Sequence, residues 1–186
     1  MSTVILERLK GLVPVGRSGG GIAASVSVMA RKDIAMTEEE IHEFLSNGHT
    51  LQVATIGADG FPHLAPMWYR FEEGKIVFRS FTKSQKMVNL RRNPNLTVLV
   101  EEGRSYDQLR GVMIKGTATL ITDREYVLGL YGRVSSDYEM VAGVRRQFTP
   151  QDVEAMFGHI AEKNTAVVVE PVEVVSWDHR KLGGAY

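Results

Sequence analysis

The chain has 186 residues, 44% of them hydrophobic and 24% charged, which is enough material for one domain with a proper core. Its 22 basic and 22 acidic residues cancel, which argues against a dedicated nucleic-acid or membrane-surface protein and makes any anion binding a local matter. There is no cysteine, so the chain carries no disulfide, no thiolate metal site and no thiol redox chemistry, as fits a reducing cytoplasm.

Residues 1–35 read as an appendage to a domain spanning 36–186. "GRSGGG" and "GIAASVSVMA" set glycines beside a mildly apolar stretch, and no cleavage site follows, so the pattern of a secretory leader is not met. "GLVPVGRS" (Gly11 to Ser18) comes close to a phosphate-binding loop, but Arg17 stands where that motif needs Lys. "VILERLK" before it is a poor buried strand and "GGG" after it a poor helix, so it reads as linker. No apolar run approaches a membrane-spanning length.

Thr37 with Glu40 forms a capping-box pattern that opens a helix through about Asn47, with Ile41, Phe44 and Leu45 on one face. "LQVATI" alternates like a strand, and "GADG" is a tight turn. "PHLAPMWYRF" is extended but holds Pro62 and Pro66, so it is bent or lies at a sheet edge. "EEGK" turns again into "IVFRSF", the third strand of a meander. A short helix is expected from Thr82 to about Asn93, capped by Thr82 or Ser84. Strands follow at "LTVLVEE" and "GVMIKGTATLIT". Thr122 or Asp123 caps a helix reaching about Arg133. "TPQD" starts another, with Pro150 at its first position, that runs to about Glu162 and turns Val153, Met156, Phe157 and Ile160 inward. "TAVVVEPVEVVSW" closes the chain as a long strand. Many antiparallel strands with few short helices predict a mainly β (α+β) class, a barrel with helical decoration.

The residues that carry most enzyme chemistry are thin. His42, His49, His63, His159 and His179 show no metal-ligand spacing, so no metal site is expected. There is no "GxSxG" nucleophile elbow, and the carboxylates are scattered. An enzyme made from these residues takes its reactive atoms from a bound cofactor. No side chain stands out as a catalytic proton donor; Tyr69 and His63 are the candidates.

One stretch breaks the charge balance. The window Gly74 to Val100, around "RSFTKSQKMVNLRRNP", holds Lys75, Arg79, Lys83, Lys86, Arg91 and Arg92 and no acidic residue. A helix N-terminus offers unpaired N–H groups and a partial positive charge. Lys83 and Lys86 in the first turns there cost roughly a few tenths of a kcal/mol each, and a phosphate reverses that sign. Arg79, on the preceding strand, adds a bidentate donor, and Ser80, Thr82 and Ser84 add hydroxyls. The alternative is a solvated basic face on a short amphipathic helix. Arg91 and Arg92 lie at the helix C-terminus, where cations are favourable in any case.

The order "LQVATIGADGFPHLAPMWYRF", "GKIVFRSFTKSQKMVNLRRNPNLTVLVE", "IKGTATLITD" resembles the pyridoxamine 5′-phosphate oxidase-like split β-barrel superfamily. The likeness runs from Met36 to Trp177 and is greatest to its flavin/deazaflavin oxidoreductase group, subgroup B, whose members use F420 and sometimes FMN. The closing "SWDHRKLGGAY" is also similar to tails in that subgroup. The resemblance implies a homodimer with two cofactor sites at the subunit interface. It implies that the backbone of Ala65, Pro66, Met67 and Trp68 lies against the ring system. It places the phosphate at Arg79, Ser80, Thr82, Ser84, Gln85 and Lys86, with Lys83 compensating for the arginine that some relatives carry where Ser84 stands. Asn89, on the other side of the same helix, is structural. Trp68 either flanks the ring or packs in a core or subunit interface. Trp177 can reach a partner's site, and His179, Arg180 and Lys181 either close over a polyanionic tail or are solvated. The implied activity is an F420-dependent reductase acting on a small organic substrate. An FMN-dependent oxidase or reductase and a carrier without turnover are the alternatives.

Overall fold

A computed structural model describes residues 33–47, 50–138 and 147–183; the linker around Gly11 to Ser18, and Gly48 and His49, lie outside these. Helix α1 (Glu38–Ser46) is opened by the expected capping box, in which Thr37 Oγ1 accepts from the Glu40 backbone and a Glu40 carboxylate oxygen accepts from the Thr37 backbone. Strands β1 (Leu51–Ile56), β2 (Pro62–Met67), β3 (Tyr69–Glu72) and β4 (Lys75–Phe81) follow. Then come α2 (Gln85–Arg92), β5 (Asn95–Glu102), β6 (Arg110–Ile121), α3 (Arg124–Asp137), α4 (Pro150–Ala161) and β7 (Asn164–Asp178). The seven strands form one antiparallel sheet in the order β2-β1-β5-β6-β7-β4-β3, curled into a half-barrel. No helix among the described residues is long and apolar enough to cross a membrane.

The extended run with two prolines is both bent and at an edge. It breaks at Trp68, and its halves become β2 and β3, the two opposite edges of the sheet. That is where strands can hold residues that donate no ladder hydrogen bond. The β3–β4 turn needs the left-handed region at Glu73 and Gly74, with φ of 52° and 74°, the pattern of a tight hairpin turn.

Strand alternation gives the sheet two faces. The inner face carries Leu51 and Val53 of β1, Ile76 and Phe78 of β4, Val98 and Val100 of β5, and Val167 and Val169 of β7. Phe44 and Leu45 of α1 and Met87 and Leu90 of α2 complete this core. A second core lies on the outer face of β4 and β7, where Val77 and Ala166 meet Val127, Leu130 and Val134 of α3 and Val153 and Phe157 of α4. Tyr131 stacks on Phe157 at 4.8 Å between ring centroids. Asp123, rather than Thr122, caps α3, and the helix runs one turn past Arg133 because Val134 and Ser135 are also buried. On α4, Val153 and Phe157 point inward and Ile160 packs beside them, but Met156 is exposed. Val153, Phe157 and Ala161 define the buried stripe, and Met156, about 100° round the helix from Phe157, falls outside it.

The residues around Met36 are hydrogen-bonded to the barrel. Ile34 O accepts from Asp178 N at 2.7 Å, and Met36 N donates to Ser176 Oγ at 3.0 Å, tying this stretch to the end of β7.

Candidate functional site

The basic stretch falls where β4 leaves the sheet and α2 begins. Ser84 is the N-cap residue, and its side chain makes no capping bond. Its hydroxyl instead lies 3.0 Å from Ser80 Oγ, which also accepts from Lys86 Nζ at 3.2 Å. The three side chains thus converge beside the first turn of α2, whose leading N–H groups have no helical partner. Ser80 is buried and Lys86 half-buried. Burial holds the Lys86 ammonium below its ordinary pKa of 10.5, and it forms no ion pair among the described residues. A buried cation without a counter-charge is costly, so this donor set suits an anion.

The other residues expected at the phosphate divide. Thr82 Oγ1 lies 2.9 Å from Thr165 Oγ1, and Thr82 N donates to Lys163 O at 2.9 Å, so its hydroxyl bridges to β7. Lys83 is exposed in the turn just before α2, and Gln85 is exposed on its first turn. Gln85 Nε2 donates to Asn89 Oδ1 at 2.9 Å, and the buried Asn89 donates to Thr55 Oγ1 at 3.1 Å, locking α2 onto β1. Arg79 is not part of the cluster. One residue before Ser80 on a strand, it faces the other side of the sheet. Its guanidinium lies 3.6 Å from the centroid of the Tyr131 ring on α3, and its Nε has no hydrogen-bond partner. Arg91 and Arg92 close α2 by donating to Thr82 O and Ile56 O.

Ala65 and Met67 face inward on β2 beside Val53 and Leu51, whereas Pro66 faces out and pairs with Gln52. As an edge strand, β2 has one side of its backbone free of sheet partners. Trp68, at the break between β2 and β3, stacks on Tyr138 with centroids 4.8 Å apart and planes at 17°. The Tyr138 hydroxyl accepts from Tyr69 N at 3.2 Å, and burial raises its pKa to about 12.

Of the two proton-donor candidates, Tyr69 is structural. It is 1% exposed, donates to Leu45 O at 2.7 Å, and burial raises its pKa further still. His63 sits opposite Thr55 on the same inward face, and its Nδ1 is buried with no hydrogen-bond partner among the described residues. Trp177 covers Gly111 of β6, where a Cβ would come within 2.4 Å of the indole. The three basic residues after it are engaged by their own chain. His179 Nδ1 lies 2.8 Å from Tyr106 O, Arg180 pairs with Asp178, and Lys181 donates to Glu40 at 2.5 Å and to Ala35 O at 2.7 Å. The Lys181 partners Glu40 and Ala35 and the His179 partner Tyr106 are far off in sequence, so the tail alone could not show them.

A conserved hypothetical protein from Mycobacterium tuberculosis is 38% identical, with a TM-score of 0.73, covering 83% of this chain and 92% of its own. An F420 reductase is 19% identical, with a TM-score of 0.55, over 72% of this chain and 94% of that one. A FAD-binding protein from Mesorhizobium loti is 15% identical, with a TM-score of 0.54, over 76% and 94%. No curated protein matches the chain. The pyridoxamine 5′-phosphate oxidase family model matches residues 37–178, nearly all of the barrel and its helices. The chain therefore belongs to the pyridoxamine 5′-phosphate oxidase family, within a flavin-binding superfamily of split barrels that includes oxidoreductases.

Proposed function

We propose that this chain is an oxidoreductase that binds the deazaflavin F420 with its phosphate at the β4–α2 junction. One observation carries the reading: Lys86, half-buried and unpaired among the described residues, converges with Ser80 and Ser84 on a helix N-terminus. A phosphate there accepts from the lysine, two hydroxyls and the leading N–H groups of α2, which is the chemistry of a charge-assisted anion site. Lys83, exposed in the turn just before α2, extends the positive track toward the acidic tail that F420 has and FMN lacks. The free edge of β2 at Ala65 to Trp68 offers backbone groups to a flat ring. When bound, such a ring supplies hydride transfer to or from a small organic substrate. The protein's part is to hold the ring, exclude water and present a proton, for which the unpartnered Nδ1 of His63 is the available group.

FMN is the second reading, since it also brings one phosphate and a tricyclic ring, and the name of the Mesorhizobium neighbour supports a flavin. A carrier without turnover is the reading from another class. Titration of F420, FMN and FAD, followed by tryptophan fluorescence, separates these. Tight F420 binding with no FMN response supports the proposal, a yellow protein as isolated supports FMN, and no binding of either at micromolar levels removes both. Lys86→Ala is expected to weaken binding by about 1–3 kcal/mol, the scale of one charge-assisted hydrogen bond, without unfolding the chain. Unchanged affinity would place the phosphate elsewhere. Steady turnover with an added substrate is what the carrier reading forbids.

We also propose that two copies associate through the open outer face of β2, β1, β5 and β6. Register aligns Pro66, Gln52, Leu99, Met113 and Val175 in one row across it, with Leu64, Ala54 and Thr97 in the next, which ends in the Lys115–Glu173 ion pair. Leu64 is 64% exposed, and Ile56 and Phe61 are exposed beside it. An apolar sheet face of this extent suits a subunit interface.

A further inference from the structure

Helix α1 does not fully close the inner face of the half-barrel. Between it, the β3–β4 hairpin, β6 and β7 lies an open cavity of about 350 Å³, within the size range of small-molecule sites. Its floor is apolar: Ile41, Leu45, Phe71, Ile114 and Val174. Its mouth is acidic: Glu38, Glu39 and Glu43. The spacing explains the division. Glu38, Ile41, His42 and Leu45 follow the i, i+3, i+4, i+7 stripe of one helix face, with Glu39 and Glu43 flanking it. His42 meets Phe71 edge-on, with centroids 5.3 Å apart, and forms a wall.

The three mouth carboxylates have no cationic partner among the described residues. Glu38 and Glu39 lie in the first turn of α1, where the helix dipole accommodates them. Glu43, in the second turn, has no such account. The basic side chains beside the lining residues on the strands, Arg70, Lys75 and Lys115, alternate onto the opposite face of the sheet and pair there with Asp137 at 3.3 Å, Glu170 at 2.8 Å and Glu173 at 2.9 Å, while Lys181 is taken up by Glu40 at 2.5 Å. Among the described residues, no cation is left to neutralise this mouth.

We propose that the cavity binds an organic amine, a cationic ammonium on an apolar body of about the size of a phenylalkyl group. The body fills the floor between Phe71 and Ile114, and the ammonium rests among Glu38, Glu39 and Glu43. The inference does not depend on the F420 reading. Phe71 pairs with Ile76 at one end of β4, while Ser80 lies four residues on, roughly 13 Å along the strand, with Phe78 packed between.

Calorimetry on the full chain with 4-phenylbutylamine, 4-phenylbutanol and 4-phenylbutyrate tests it, because the three probes share a body and differ in charge. The amine is expected to bind about tenfold or more tighter than the alcohol, with the carboxylate weakest. Added salt is expected to narrow the gap, since the carboxylates stand at an open mouth. A Glu39→Gln/Glu43→Gln double variant, altering exposed side chains only, is expected to bring amine and alcohol to similar affinity. Ile41→Trp is expected to abolish binding of all three by filling the floor. Equal binding of the three probes overturns the proposal, as does an amine preference that persists in the double variant. No heat with any probe, the result expected if residues 1–32 or a second copy covers the floor, overturns it as well.

Discussion

The outer surface of the sheet is treated differently at its two ends. Over β7 and β4, α3 and α4 seal it: Val77, Ala166, Leu130, Val134 and Phe157 are all buried. Over β2, β1, β5 and β6, no helix among the described residues lies on it, although Leu64, Ile56, Leu99 and Met113 are as apolar as their counterparts. The same alternating strands build both surfaces, so strand pattern alone does not decide which is covered. Long helices following β6 decide it, because they have only the nearer end of the sheet to pack against. One end is finished within the chain, and the other is the face proposed above to meet a second copy.

Phe157→Ala tests the sealed end and should have the largest effect. It removes a buried ring stacked on Tyr131, and a loss of about 3–5 kcal/mol is expected in urea unfolding. A loss below about 1 kcal/mol would mean that α4 is not an integral part of the fold. Gly111→Ala tests the boundary between the two ends. Its new methyl group meets Trp177 at 2.4 Å, so the indole has to move. A cost of about 1–3 kcal/mol is expected, with a changed tryptophan emission spectrum. Leu64→Asp tests the open end. On a surface facing only water it should change stability by about 0.5 kcal/mol or less, yet on an interface between copies it should convert a dimer to a monomer in sedimentation. A wild-type chain that sediments as a monomer would remove the dimer proposal outright.

Much of this was legible in the sequence where the controlling contacts are local. The capping boxes at Thr37 and Thr149, the hairpin turn at Glu73 and Gly74, and the edge position of the proline-bearing strand each follow from rules that span a few residues. The cluster of Ser80, Ser84 and Lys86 was legible for the same reason, since all three lie within one strand end and one helical turn. What was not legible depends on distant partners. Met156 looked inward on a helix whose buried stripe is narrower than its apolar pattern. Arg79 looked like part of the anion cluster, but nothing near it in sequence announces Tyr131, which is brought over β4 by a helix 45 or more residues on. The acidic mouth of the α1 cavity was equally hidden, because its floor is assembled from three strands and a helix.

The smallest expected effect is that of Arg79, set against Lys86 on the other face of β4. Both are cations withdrawn from water, and burial lowers both pKa values. They differ in what faces them: an aromatic ring for Arg79, two serine hydroxyls and a helix N-terminus for Lys86. An arginine stays charged throughout the accessible pH range, so its site adds no pH dependence. Lys86 titrates, and an anion bound beside it favours the ammonium. Its pKa is therefore higher in the complex than in the free protein, and binding takes up protons as pH rises through the free-protein value, below the ordinary 10.5. Phosphate-bearing ligands should accordingly bind more weakly as pH is raised through that alkaline window. Lys86→Ala should remove the slope together with most of the affinity, whereas Arg79→Met should leave the slope intact and change affinity by about 0.5 kcal/mol or less. If Arg79→Met instead removes binding and Lys86→Ala does not, the anion lies on the sealed face of β4, over Tyr131, and the site drawn at the helix N-terminus is on the wrong side of the sheet.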